Sequence, residues 1–221
     1  NKDTASYGKG RERPIYFVTG EVQGLGKYKN RTTGTSSIAG KFSSAFSLGY
    51  QLYKEKDNTY ANLLKSRAAS AYAFGLKKPG NTQTSCFVSP YFYEEDNWVD
   101  DMELAAAQLY NITKDRNLLT ASFEYAKQEK QTPWLGTDTA SHYQWYPFIN
   151  VGHYELAKTA QGEVREQTIS FYKQGINLVW EKARNNAFYR GVPFIWCSNN
   201  LQAAFAIQCY WYRQLTGDRT Y

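Results

Sequence analysis

Residues 109–115 read LYNITKD, and this stretch decides the fold because variants of it recur along the chain. Residues 52–57 read LYKEKD and residues 212–218 read YRQLTGD, while a more degraded copy begins at residues 155–158, ELAK. Each copy has the pattern of a helix end, a polar turn whose Asp can cap the next helix, and a new apolar stripe. The copies lie on the order of 50 residues apart or a multiple of it, which is typical of stacked helical hairpins. An open solenoid and a closed α/α toroid both fit this repeat.

The segments between these turns have the apolar periodicity of helices, with hydrophobic or small residues at steps of three and four. Alternation with a period of two is nearly absent, and residues 15–18 are the only short strand candidate. The sequence therefore predicts an all-α protein built of helical hairpins. The first such stripe consists of Ile38, Phe42, Ala45, Gly49 and Leu52.

The composition excludes several classes of protein. The chain has 221 residues, of which 42 % are hydrophobic and 21 % charged, so disorder is not expected. No run approaches the roughly 20 apolar residues of a membrane helix, and no signal peptide opens the chain. The net charge is +6, but Lys and Arg alternate with Glu and Asp on the predicted helix surfaces, which argues against a nucleic-acid partner. The three cysteines form no C-x-x-C pair and no cluster with histidine, so the sequence does not favour a zinc site.

Aromatic residues make up an unusual 17 % of the chain, with 19 Tyr, 6 Trp and 12 Phe. Rings with a polar group suit grooves that bind sugars, because a pyranose stacks its C–H face on a ring while its hydroxyls need hydrogen bonds. They serve equally well in a core whose OH and NH groups are satisfied. Two long connections, residues 75–97 and 130–147, concentrate these rings, and such loops at one end of a helical scaffold usually line a site. The alternative is that the loops pack over the helix ends as small additional cores.

The most acidic stretch, residues 94–103, has three interpretations. Carboxylates at the start of a helix are stabilised by its dipole and by its free N–H groups. Alternatively, Asp96, Asp100 and Asp101 supply oxygen ligands for Ca²⁺. A catalytic carboxylate pair is the third interpretation, although neighbours on one first turn seldom suit acid–base chemistry.

Each of the two histidines has a structural and a functional interpretation. His142 lies beside Tyr143 and Trp145, where its imidazole either binds a sugar hydroxyl or holds the loop. His153 lies in the middle of a predicted helix, in a Gly-His-Tyr run, and is expected to be a satisfied interior histidine.

Four segments together resemble glycoside hydrolase family 9, the inverting endoglucanases and related β-glucan hydrolases. Residues 89–110, SPYFYEEDNWVDDMELAAAQLY, resemble the segment of the family that opens a barrel helix. Residues 12–14, Glu-Arg-Pro, followed by residues 34–45 are similar to its Arg-Pro segment and small-residue helix. Residues 145–158 resemble its Trp-Asp-Asp segment, and residues 196–200 its Tyr-Ala-x-Asn segment. The resemblance covers essentially the whole chain.

The resemblance implies an (α/α)6 toroid with an open cleft across one end that hydrolyses β-1,4-glucosidic bonds with inversion. In the family, an aspartate pair in an Asp-Ala-Gly-Asp motif activates water, and a separate glutamic acid protonates the leaving oxygen. Residues 1–221 contain neither motif, so the chain is expected to be the central part of the catalytic domain, cut at both ends and without its catalytic groups. Such an incomplete ring is expected to expose apolar helix faces and to be marginally stable. The implied partner is a β-glucan oligosaccharide or polysaccharide, and no cofactor is required.

The resemblance also implies roles for individual residues. The family's stacking aromatics fall at or beside Trp98, at the cluster 91–93 and at residues 142–145. Its structural calcium falls on Asp100 and Asp101 with Asp96 beside them, although another of its calcium aspartates is replaced by Pro147. The predicted substrate-binding residues are Tyr91, Phe92, Tyr93, Trp98, His142 and Trp145.

Two other function classes remain open on the sequence. A non-catalytic glycan-binding helical module would share the aromatic loops, and a helical-repeat scaffold for protein partners would show no affinity for glucan. Family members are commonly secreted, so the resemblance implies an extracellular or periplasmic location.

Overall fold

The computed structural model describes residues 17–24, 26, 29–83, 97–129, 151–192, 194 and 198–221. This part of the chain contains seven helices and no strand, which confirms the predicted all-α class. Of the strand candidate at 15–18, Phe17 and Val18 are in irregular structure and the other two lie outside the described residues. The helices are α1 (Ser36–Tyr53), α2 (Asn58–Lys77), α3 (Val99–Thr113), α4 (Arg116–Gln128), α5 (Val151–Thr159), α6 (Gly162–Arg184) and α7 (Ser198–Thr216).

Two of the four repeated turns, at residues 52–57 and 109–115, form with the predicted aspartate caps. The carboxylate of Asp57 accepts a hydrogen bond from the backbone N–H of Tyr60 at 2.9 Å, and Asp115 accepts one from Asn117 at 3.0 Å. Both aspartates are therefore N-caps that satisfy an N–H group left free by the helix geometry. Because only a few residues separate α1 from α2 and α3 from α4, the helices of each pair run antiparallel.

The helices alternate between an inner and an outer row. Consecutive inner helices α1, α3, α5 and α7 pack on one another, while α2, α4 and α6 lie outside them. Contacts between early residues show that the inner helices run parallel: Gly40 of α1 meets Asp101 of α3, and Glu103 of α3 meets His153 of α5. Tyr154, in the first half of α5, stacks on Trp211 in the second half of α7 with ring centroids 4.9 Å apart.

Small side chains permit this close packing. A Cβ at Gly40 would lie 2.6 Å from the carbonyl oxygen of Asp101, so only glycine lets α1 approach α3 so closely. Two buried serines of α1 donate to carbonyl groups of α2, Ser36 to Gly75 at 2.8 Å and Ser43 to Ala68 at 2.9 Å. Alanines 105–107 of α3 are fully buried, which leaves room for several helices around α3.

The described ends of the long connections lie at the end of the array where the inner helices begin. Each of these connections joins the end of an outer helix to the start of the next inner one. The first connection is tied to the segment before α1, since the N–H groups of Thr33 and Gly34 both donate to the carbonyl of Asn81. The backbone N–H of Gln83 donates to the Oγ1 of Thr32, and the carbonyl of Gln83 accepts from the Nδ2 of Asn30. Both predicted aromatic connections thus leave and re-enter the described helices at one end of the array.

The α1–α2 edge of the array exposes apolar side chains, among them Leu52 and Phe42. A cavity of about 520 Å³ opens there between the two helices, lined mainly by Phe42, Phe46 and Phe74. None of the helices in the described ranges combines the length and apolar composition needed to cross a membrane.

Candidate functional site

A buried acid–imidazole pair joins two inner helices at this end of the array. Glu103 lies in the second turn of α3 and His153 in the first turn of α5. The Nδ1 of His153 is 2.7 Å from Oε1 of Glu103, and the two side chains are only 1 % and 2 % exposed. The prediction that His153 is a satisfied interior histidine is therefore confirmed, and its partner is a carboxylate.

The surroundings hold Glu103 in place. A Cβ at Gly152 would lie 2.8 Å from the carboxyl carbon of Glu103, so the absence of a side chain at this position makes room for the carboxyl group. The carbonyl of Glu103 accepts a hydrogen bond from the hydroxyl of Ser122 on α4 at 3.0 Å. The imidazole of His153 also lies 6.2 Å from the ring of Phe171 on α6. The pair thus connects the inner row to both neighbouring outer helices.

Burial sets the electrostatics of this pair. Burial raises the pKa of Glu103 because the charged form loses its hydration, while His153 opposes the rise and the nearby Asp100 adds to it. A carboxyl group in these surroundings depends on its imidazole partner to remain ionised.

A second carboxyl group, Glu129, lies at the end of α4 near the same pair. Its Oε2 accepts a hydrogen bond from the Nδ2 of Asn97 at 2.5 Å. Burial and then the charge of Asp100 raise the pKa of Glu129 to about 8, against the opposing effect of Asn97. The acidic groups interact with each other, since Glu103 and His153 also act on Glu129. Glu129 therefore holds its proton near neutral pH.

The two predicted calcium ligands in the described residues interact with different neighbours. The Oδ2 of Asp101 is 2.5 Å from the Nζ of Lys41 on α1, so this carboxylate already has a cation. Asp100 acts electrostatically on Glu103 and Glu129. Within the described ranges no group of three His, Cys, Asp or Glu side chains is suited to a metal ion. Asp100 and Asp101 therefore do not form an oxygen cage by themselves, and Asp96 lies outside the described residues.

Trp98 is the one predicted sugar-binding aromatic residue that the structure describes. It directly precedes α3 and is half-buried against the core formed around Met102 and Leu109. Its ring meets that of Tyr125 edge to face, with centroids 6.0 Å apart. This packing matches the alternative in which aromatics at the helix ends extend the core, and the sugar contact of Trp98 stays a prediction. Outside the described residues lie Tyr91, Phe92, Tyr93, His142 and Trp145.

Sequence reasoning missed the role of Glu103. A signal was present, because Glu103 is the only charged residue between Met102 and Tyr110, in a segment of otherwise apolar and small residues. A charge in such a segment needs a buried partner. The sequence did not show which residue supplies it, because His153 is 50 residues away.

The comparisons with known proteins agree on one family. The profile of glycosyl hydrolase family 9 matches residues 8–221. No curated protein sequence matches the chain. Several solved structures share its fold at 16 % sequence identity, which supports the fold alone.

The first of these structures is a single mutant of a thermostable endoglucanase from Alicyclobacillus acidocaldarius, with a TM-score of 0.64 over 80 % of this chain and 33 % of its own. AaCel9A in complex with cellobiose-like isofagomine gives 0.65 over 80 % and 34 %. The family 9 endoglucanase J30 gives 0.64 over 84 % and 34 %. The chain thus spans about a third of the length of these proteins.

These matches account for the geometry described above. Parallel inner helices, each joined to an antiparallel outer one, form part of an (α/α)6 toroid, as the sequence predicts. The family profile covers nearly all of the chain, from the segment before α1 to the end of α7. The chain therefore belongs to glycosyl hydrolase family 9.

Proposed function

We propose that this chain is part of an inverting β-1,4-glucan hydrolase and that it contributes glucan-binding surface rather than the catalytic carboxylates. The observation that carries the proposal is the match of the family profile to residues 8–221. The fold adds support, because the helix ends that the long aromatic connections join all lie where the inner helices begin. Loops at one end of a rigid scaffold are where binding residues concentrate.

The carboxyl groups of the described residues support a non-catalytic role. Inversion requires a general acid and a general base roughly 6.5–9.5 Å apart, with space for sugar and water between them. Glu103 is 2 % exposed and bound to His153, so it offers no access to a substrate. Glu129 keeps its proton as a general acid must, but its carboxyl group is bound by Asn97 at the end of an outer helix. The chain also contains no Asp-Ala-Gly-Asp sequence.

The test is an assay of the purified protein on a soluble β-1,4-glucan with two readouts. Release of reducing ends should stay at the level of a blank without protein, while retardation in a gel that contains the glucan should show binding. Appreciable turnover would overturn the assignment of the catalytic groups to residues outside 1–221. Absence of both turnover and retardation would overturn the glucan-binding role.

A non-catalytic glycan-binding module is the second candidate. Its supporting feature is the high share of aromatic residues, 17 % of the chain, which suits sugar binding without catalysis. The two candidates differ in the gene sequence upstream of this chain, where the hydrolase requires the Asp-Ala-Gly-Asp motif. For either candidate we propose an extracellular or periplasmic location, since a polymeric glucan is met there.

A further inference from the structure

A second set of aromatic side chains lies on the connection between α6 and α7, outside the loops that the sequence singled out. We call the described residues of this connection that carry the rings, 185–192 and 194, the rim loop. Its three large rings are strongly exposed: Phe188 is 91 % exposed, Phe194 79 % and Tyr189 66 %. Clustered apolar exposure of this kind on a protein surface usually marks a binding site.

The rim loop is held in a defined conformation. The Oδ1 of Asn186 accepts a hydrogen bond from the N–H of Phe188 at 3.0 Å, and the carbonyl of Asn186 accepts one from Tyr189 at 2.9 Å. Tyr189 has a positive φ of 51°, a conformation that bulky residues rarely adopt and that the surrounding turn must support. A turn that holds a tyrosine in this conformation presents Phe188 and Tyr189 to solvent at a fixed place.

The far side of the loop is anchored in the core. Val192 is only 5 % exposed and belongs to the cluster formed by α6 and α7. Gly191 lies against α6 so closely that a Cβ would be 2.1 Å from the carbonyl oxygen of Val179. The exposure of the rings is therefore not a consequence of a detached loop.

Phe188 and Phe194 line a cavity that is also lined by polar residues. Its volume is about 570 Å³, within the range of roughly 300–1,000 Å³ typical of small-molecule sites. The guanidinium carbon of Arg190 lies 4.7 Å from the centroid of the Phe194 ring, so one aromatic ring carries a cluster of hydrogen-bond donors beside it. Asn185 and Asn186 complete the polar part of the lining.

This combination matches the chemistry of a sugar. A pyranose presents a C–H face to a ring and hydroxyl groups at its edge, which both accept and donate hydrogen bonds. Aromatic rings beside amides and a guanidinium provide both kinds of contact. The loop also precedes an inner helix, so it lies at the same end of the array as the other long connections.

We propose that the rim loop is a glycan-binding subsite that extends the glucan surface of this protein, with Phe188 and Phe194 as its main contacts. The proposal rests on the proposed function, because it assigns the same substrate class, a neutral β-glucan, to a second part of the surface. A long glucan that binds at the other connections extends to this subsite, because both belong to the same end of the toroid.

The test compares variants of the protein in native gels that contain a neutral soluble β-glucan, with dextran gels as the polysaccharide control. The double variant Phe188→Ala/Phe194→Ala should bind the β-glucan about thirtyfold more weakly, since each of the two ring contacts contributes on the order of 1 kcal/mol. Phe188→Tyr/Phe194→Tyr keeps both rings and should retain the affinity. Phe42→Ala is the matched control, because it removes an exposed phenylalanine from the opposite edge, in α1.

The outcomes separate this proposal from the proposed function. Weaker binding of the alanine double variant, with an unchanged circular dichroism spectrum and unchanged affinity of the tyrosine and Phe42→Ala variants, supports the subsite. Equal retardation of the alanine double variant and the unchanged protein overturns the subsite and leaves the proposed function standing. No retardation of the unchanged protein at any glucan concentration overturns both.

Discussion

The buried pair Glu103–His153 allows a quantitative test of what holds α3 to α5. The perturbation is His153→Ala, which removes the imidazole. The carboxyl group of Glu103, only 2 % exposed, then loses the partner that it has in the unchanged protein. Breaking a buried pair by removing one partner costs about 3–5 kcal/mol. Part of this cost comes from the cavity left by the ring, which now lies 6.2 Å from Phe171. The free energy of unfolding of a typical protein is about 5–15 kcal/mol, so such a loss is a large fraction of it.

The cost should depend on pH with a defined sign. Burial already raises the pKa of Glu103, and His153 opposes that rise, so removing the imidazole raises this pKa further. An acid with a folded-state pKa above its unfolded value binds more protons when folded, so stability falls as pH rises between the two values. The free energy of unfolding of His153→Ala should therefore lie closer to that of the unchanged protein at pH 5 than at pH 7.5.

The assay is urea denaturation followed by circular dichroism at 222 nm, at both pH values, for a double-mutant cycle. The cycle comprises His153→Ala, Glu103→Ala and the double variant. The double variant should be less destabilised than the sum of the single variants, by about 1–3 kcal/mol, because each single variant leaves one unpaired buried group. Additivity within about 0.5 kcal/mol at both pH values, together with the absence of a pH effect on His153→Ala, would refute this account.

Two further predictions concern the carboxyl group of Glu129 and the close packing of α1 on α3. Relative to the unchanged protein, Glu129→Gln should be more stable at pH 8 than at pH 5. Folding raises the pKa of Glu129 from 4.5 to about 8, so this acid makes the unchanged protein less stable as pH rises between these values. The glutamine does not titrate and removes this loss. The exposed Glu124→Gln on the same helix is the control, and thermal melts at both pH values decide, with equal pH responses of the two variants counting against the prediction. Gly40→Ala should lower the free energy of unfolding by about 1–3 kcal/mol, since its Cβ would meet the carbonyl of Asp101 at 2.6 Å and push α1 from α3. Urea denaturation checks this, and a change below about 0.5 kcal/mol would show that the two helices separate without cost.

Short-range pattern was enough to predict the helices and turns. The stripe from Ile38 to Leu52 lies in α1, Ser36–Tyr53, as its helical spacing predicts. The face that packs on the other helices is a different one, made of serines and small residues such as Gly40, while Phe42 and Leu52 of the stripe are exposed. The turn aspartates Asp57 and Asp115 cap their helices because a cap needs only a partner two or three residues away. Both signals are local and need no knowledge of the tertiary structure.

Long-range contacts could not be predicted in the same way. The acidic stretch 94–103 looked like one group in the sequence, whereas Asp101 binds Lys41 and Glu103 binds His153, and the amide of Asn97 in the same stretch binds Glu129. Their partners are 60, 50 and 32 residues away along the chain. The exposed rings of the rim loop were missed because a phenylalanine in a sequence does not reveal whether it is buried.

The sequence by itself determined that this protein is an array of helical hairpins of family 9, since its periodicity, turn aspartates and four family segments are all readable along the chain. Only the tertiary structure decided which charges meet and which rings face solvent. The physical reason is that a buried carboxylate takes its protonation state and its energy from groups brought next to it by helix packing. In this protein that packing places His153 against Glu103 and leaves Phe188 in water.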